Sequence, residues 1–152
     1  MQQKKGQKGF SLIELLIVVA IIGIIAAIAI PNLLESRKAA NEASGIGSTR
    51  TISTAQTTYL STVGNNTIYA PTLAALDTAN LIDATLAGAT AITSAKSGYF
   101  FTLAQAGGTS LYQLNSTPAS TSTGTRHFFT DETGVIRFGA SAAATNTSPA
   151  LQ

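Results

Sequence analysis

Hydrophobic and polar positions divide this chain sharply. From Phe10 to Ile30 it is almost wholly apolar, with 14 Phe, Leu, Ile or Val residues among 21. A helix of that length spans roughly 32 Å, close to the hydrocarbon thickness of a bilayer. Each large apolar side chain favours insertion by about 0.3 to 0.6 kcal/mol, against a cost of about 3 kcal/mol for a mid-membrane acid. The sum predicts a membrane-inserted helix even with Glu14 charged. From Asn32 the pattern becomes amphipathic. Ile52, Ala55, Tyr59 and Val63 recur on one helical face, while Glu35, Arg37, Lys38, Glu42 and Arg50 fall mostly elsewhere, at spacings that predict local charge pairs. The helix is expected to run from Phe10 to about Thr62, near 80 Å at 1.5 Å per residue, and to stop before Gly64-Asn65-Asn66. Gly45 and Gly47 are expected to weaken its middle.

Beyond the helix, residues 64–97 read as an irregular connection with a short helix opened by Pro71-Thr72-Leu73, its buried side marked by Leu73 and Leu76. Strand signals follow at 98–103, at 111–115 and, after a Pro/Ser/Thr stretch at 117–125, at 126–130 and 135–138. The last two flank the turn Asp131-Glu132-Thr133-Gly134. The expected fold class is α+β: a long N-terminal helix, half transmembrane and half amphipathic, packed on an antiparallel sheet of three or four strands. The division is a basic leader at 1–9, a transmembrane helix at 10–31, an amphipathic helix at 32–63, the connection at 64–97, and the sheet with its tail at 98–152.

Charge changes the picture in one place. Lys4, Lys5 and Lys8 precede the apolar block with no acid among them, and from residue 10 onward six Lys or Arg face seven Asp or Glu. The basic leader predicts a cytoplasmic N-terminus, and the nearly neutral body gives no basis for binding a nucleic acid through bulk charge. With no cysteine and one histidine, His127, disulfides, thiolate chemistry and His-rich metal sites are excluded. No paired His/carboxylate arrangement, phosphate loop or metal spacing stands out, so the chain reads as neither an enzyme nor a cofactor carrier.

Three readings of the apolar block compete. A secretory signal has a shorter apolar core, although Ala26, Ala27 and Ala29 supply small residues. A plain single-span anchor explains length and orientation but gives Glu14 no purpose, and an acid in a membrane segment usually has a partner. The third is a resemblance. The stretch KGFSLIELLIVVAIIGIIAAIAIPNLL, with a Lys-rich leader ending in Gly9, then Phe10, Glu14, Gly23 and Pro31, resembles the class III signal of the type IV pilin superfamily. In the head, GYFFTL and the pattern Thr-Gly-x-Arg-x-Phe, Asp, Gly-Val-Ile-Arg resemble bacterial type IV pilins and, more loosely, major pseudopilins of type II secretion. The C-terminal cysteine pair of many pilins is missing.

That resemblance implies cleavage by a prepilin peptidase between Gly9 and Phe10, N-methylation of Phe10 and retention of the apolar helix. It assigns Glu14 to the Phe10 amine of a neighbouring subunit; an intrachain pairing at the helix terminus is the plainer alternative. Gly23 to Pro31 is expected to be helical in the isolated subunit and able to extend in a polymer. The implied partners are further copies of the chain in a helical filament, the peptidase, an assembly ATPase with its inner-membrane platform, and the membrane before assembly. Nucleic acid enters only if the fibre takes up DNA. The implied location is the bacterial inner membrane as precursor and the extracellular fibre afterwards, or, in the alternative, the pseudopilus of a type II secretion system.

Asp131 and Glu132 are weak calcium candidates, since two carboxylates fall short of the six to eight oxygens calcium takes and a hairpin turn accounts for them. His127 is expected at a surface or strand edge, and Arg126 and Arg137 are expected to pair with Asp131 or Glu132.

Overall fold

The computed structural model describes residues 9–108, 110–140 and 142–151; the leader at 1–8 lies outside them. The chain divides into two compact units, residues 1–36 and 37–152. Helix α1, Leu12–Thr62, carries Pro31 inside it. In the first unit it is built from the apolar run, and the stretch from Gly23 to Pro31 is helical.

In the second unit the rest of α1 is followed by α2 (Leu73–Thr78), α3 (Ala84–Ala87), a 3₁₀ turn at Ile92–Ser94, and strands β1 (Tyr99–Gln105), β2 (Tyr112–Pro118), β3 (His127–Asp131) and β4 (Arg137–Gly139). The α1 terminus falls where Gly64-Asn65-Asn66 predicts. Asn65 and Asn66 take left-handed φ values of 50° and 58°, a conformation asparagine tolerates better than most residues, and the Asn66 N–H donates back to the Leu60 carbonyl at 2.8 Å. Thr72 caps α2 through its hydroxyl, which accepts from the Ala75 N–H.

The four strands form an antiparallel meander in the order β1-β2-β3-β4. Strand β2 runs further than Asn115, pairing Pro118 with Tyr99; a proline is compatible with a strand end. The sheet turns Tyr99, Phe101, Tyr112, Leu114 and Phe128 into a core with Ile52 and Ala55 of α1, and with Leu73, Leu76 and Leu86 from the connection. The α+β class and the antiparallel sheet are as the sequence implies.

The face that α1 presents to this core differs from the expected one. Ile52 and Ala55 are buried and Tyr59 packs beside them, but Val63 is exposed. The buried positions from 42 to 56 are mostly small or polar: Glu42, Gly45, Ser48, Thr49 and Gln56 accompany the two apolar residues. Most of these have identifiable partners. Gln56, fully buried, donates to the Ala70 carbonyl at 3.0 Å and accepts from the Ala70 N–H at 2.9 Å, imitating a strand partner. Thr49 and Ser116 share a hydroxyl hydrogen bond of 2.6 Å, and Ser53 meets the Tyr112 hydroxyl at 3.0 Å. Gly45 makes room for an aromatic ring, since a Cβ there would lie 3.0 Å from Cγ of Tyr99.

Glu42 corrects the sequence reading most clearly. It is buried, and it pairs not with its helical neighbours but with the loop between β2 and β3. Its Oε1 accepts from the Thr125 N–H at 3.0 Å, the Thr125 hydroxyl at 3.1 Å and the Arg126 N–H at 3.2 Å, while Oε2 accepts from Arg126 Nε at 2.6 Å. Asn41 reinforces the join by donating to the Thr123 carbonyl at 2.9 Å. The Tyr99 hydroxyl donates to the Arg126 carbonyl at 2.7 Å, and Gly124 leaves it space, because a Cβ there would overlap that hydroxyl. Burial by itself would raise the Glu42 carboxyl, but the donors from Thr125 and Arg126 outweigh it and hold it below its ordinary value. Arg126 therefore ties the loop to α1 and does not pair with Asp131 or Glu132. Arg137 also goes elsewhere, donating to the Ser148 carbonyl at 2.9 Å.

That last contact belongs to the closure of the C-terminal segment. The Phe138 N–H donates to the Pro149 carbonyl at 3.0 Å and the Leu151 N–H to the Ile136 carbonyl at 2.7 Å, so Ala150 forms an isolated antiparallel bridge to Arg137 on the β4 edge. Pro149 supplies only its carbonyl, and its missing N–H is not needed. On the outer face of β3, buried Phe129 lines a cleft together with residues 143–146.

Candidate functional site

The feature that stands out is the apolar surface of the first unit. Every large apolar side chain from Phe10 to Ile30 is at least half exposed, from Val18 at 50% to Phe10 at 90%. The most apolar part of α1 reaches a mean hydropathy of 3.1 with none of it buried within the chain. A soluble protein rarely leaves an apolar surface of this extent uncovered, and the segment is long and apolar enough to cross a membrane.

At its head the helix carries a cap. The Ile13 N–H donates to Ser11 Oγ at 3.3 Å, and the Ser11 N–H donates to Glu14 Oε2 at 2.8 Å. This is a variant of the Ser-x-x-Glu capping box in which Glu14 reaches back to the Ser11 N–H while the Ser11 hydroxyl takes the Ile13 N–H, one residue short of the usual one, and both satisfy backbone donors that a helix start leaves open. Glu14 thus accepts from a backbone N–H of its own chain. The sequence signal for it, Ser11 followed by an acid three residues later, is separate from the apolar pattern. Gly9 and Gly23 make no close approach: a Cβ at either would meet nothing within 4 Å.

The other candidate residues sit in the second unit. Asp131 Oδ1 accepts from both the Thr133 N–H and the Thr133 hydroxyl, closing the β3–β4 turn, and Glu132 is exposed. Among the described residues no group of three or more His, Cys, Asp or Glu is placed to hold a metal. His127 is half-buried at the start of β3, and burial lowers its pKa.

Residues 4–30 match the prokaryotic N-terminal methylation motif. The N-terminal segment is that of the type IV pilin superfamily. Curated relatives agree with this pilin-type segment. The chain is 66% identical over 38 residues to the type IV wide pilus major component PilA4 of Thermus thermophilus, a match covering 25% of this chain and 29% of that protein. It is 46% identical over 54 residues to the type IV major pilin protein PilA of Myxococcus xanthus, covering 36% and 24%. It is also 40% identical over 40 residues to the type II secretion system core protein G of Aeromonas hydrophila, covering 26% and 28%. The chain spans less than a third of the length of each of these relatives. No solved structure matches it significantly.

Proposed function

We propose that this chain is a structural subunit of a type IV pilus. It is inserted in the inner membrane with its N-terminus cytoplasmic, cut between Gly9 and Phe10 by a prepilin peptidase, and N-methylated on Phe10. It is then polymerised through α1 into an extracellular fibre by an ATPase-driven inner-membrane machine. The observation that carries this is the uncovered apolar surface from Phe10 to Ile30, which lies within the matched methylation motif. Such a surface has two low-energy environments, lipid and other copies of itself, and a pilin needs both in turn. The exchange is close to neutral in hydrophobic terms, because acyl chains and packed apolar helices are similar solvents.

Register then falls to the polar group in the seam. On this reading Glu14 gives up its cap on Ser11 to meet the Phe10 amine of a neighbouring copy, since in an apolar core carboxylate and ammonium are worth more paired than apart. The role is structural, and the relatives named above are fibre and secretion components. The match to type II secretion protein G supports a second reading, a major pseudopilin forming a short periplasmic fibre. Long surface fibres built of this chain count against that alternative; calcium held at the Asp131-Glu132 turn counts for it.

The test is Glu14→Leu, expressed in cells lacking the parent chain. The variant is expected to insert and to be processed, with mass spectrometry showing a methylated Phe10 terminus, while electron microscopy shows fibres lost or misassembled. Gly9→Ser should block cleavage. A mature protein beginning downstream of Ile30, or a working form that keeps Met1, overturns the proposal.

A further inference from the structure

Helix α1 should be weakest at its proline. Pro31 lies inside the helix. Having no N–H, it leaves the Ala27 carbonyl without its usual donor, and its ring crowds that same carbonyl. In hydrocarbon, where no water can step in, open carbonyls are especially unfavourable. The helix nevertheless continues through residues 27–35.

The next residue supplies a reason. Asn32 Nδ2 donates to the Ile28 carbonyl at 3.1 Å, one turn back across the proline. Ser36 Oγ repeats the pattern one turn further on, donating to the Asn32 carbonyl at 2.9 Å. Polar side chains that bond back to the i−4 carbonyl ordinarily compete with the helix and bend it. Here the carboxamide adds a second donor at the Ile28 carbonyl, next to the Ala27 carbonyl that Pro31 deprives of its own, and so ties down the turn beside that gap.

We infer that Asn32 is a positioning residue for a proline hinge in α1: its carboxamide latches the turn from Ile28 to Asn32, holding closed a segment that Pro31 leaves ready to open. Under the proposed function, the latch sets how readily this turn gives way when copies pack. That use rests on the pilin reading; the latch itself does not.

The experiment reads the hinge alone. The full chain in detergent micelles is compared with Asn32→Ala, Asn32→Leu and Asn32→Ser, and amide hydrogen exchange is followed at residues 32–35. Losing one net hydrogen bond should speed exchange about fivefold in the Ala and Leu variants. Serine, whose hydroxyl can make the same i−4 bond that Ser36 makes, should stay within about twofold of the parent. Intrinsic propensity predicts the opposite sign, since alanine and leucine are better helix formers than asparagine. Exchange in the Ala and Leu variants equal to or slower than the parent overturns the latch, as does a serine variant that exchanges as fast as alanine. Either result leaves the fibre-forming reading untouched, just as absence of fibres leaves the latch untouched.

Discussion

The Glu42 join fastens α1 to the β2–β3 loop through a buried carboxylate. Glu42→Ala removes a buried carboxylate that accepts four hydrogen bonds from Thr125 and Arg126. Removing one partner of a fully buried charged pair costs about 3 to 5 kcal/mol. The Arg126 side chain is 38% exposed while that of Glu42 is 8% exposed, so water screens the arginine's share, and the low end, about 3 kcal/mol, applies. Arg126→Ala leaves Glu42 with its three donors at Oε1 and should cost less, about 1.5 to 2.5 kcal/mol for one charge-assisted hydrogen bond. With Glu42 already gone, Arg126 can turn to water, so the double variant should match Glu42→Ala rather than the sum. For a unit of this size, 1 kcal/mol shifts the melting midpoint by roughly 3 to 5 °C. Glu42→Ala should therefore melt about 10 °C lower, read by near-ultraviolet tyrosine circular dichroism of the full chain in micelles.

The pH dependence follows from the same carboxylate. Its folded pKa is depressed below 4.5, so its contribution is complete above that value and is lost as the pH falls through the folded pKa. Parent and variant melts should converge on acidification. A Glu42→Ala midpoint within about 3 °C of the parent at pH 7, or an Arg126→Ala variant less stable than Glu42→Ala, refutes this assignment of the energy.

Two glycines of the same helix should respond in opposite directions. Gly45→Ala pushes a methyl against the Tyr99 ring and should destabilise by about 1 to 2 kcal/mol despite alanine's better helix propensity, whereas Gly47→Ala meets nothing within 4 Å and should raise the melting midpoint. Gln56→Leu strands the N–H and carbonyl of buried Ala70 and should cost about 2 to 4 kcal/mol in urea unfolding. Removing residues 147–152 frees the Phe138 N–H from Pro149, so hydrogen exchange at that amide should accelerate at least about tenfold while β1 and β2 amides hold.

Residues whose partners are near in sequence were the legible ones. The apolar run, the stop at Gly64-Asn65-Asn66, the Thr72 cap and the Asp131–Gly134 turn are all local patterns, and each appears where it is expected. The buried face of α1 from Glu42 to Gln56 was not legible, because hydrophobic periodicity counts apolar side chains and this face is written in carboxylate, hydroxyl, carboxamide and glycine. Their partners, Ser116, Thr125, Arg126 and Ala70, lie in other elements, where rules for neighbours on one helix do not reach. That is why Glu42 read as a surface charge and Gly45 as a weakness. At the candidate site, the extent of the apolar surface was plain from composition, but the cap from Glu14 to the Ser11 N–H requires knowing that the helix begins at Leu12.

The main-chain bridge that residues 149–151 make to β4 has a consequence for how this molecule ages and varies. A clasp formed by main-chain atoms consults few side chains, so the sequence around it can drift while the clasp survives. Nor does it contain sulphur: the head can be unfolded and refolded in strong reductant, with no thiol oxidant or isomerase at hand, and regain the same closure.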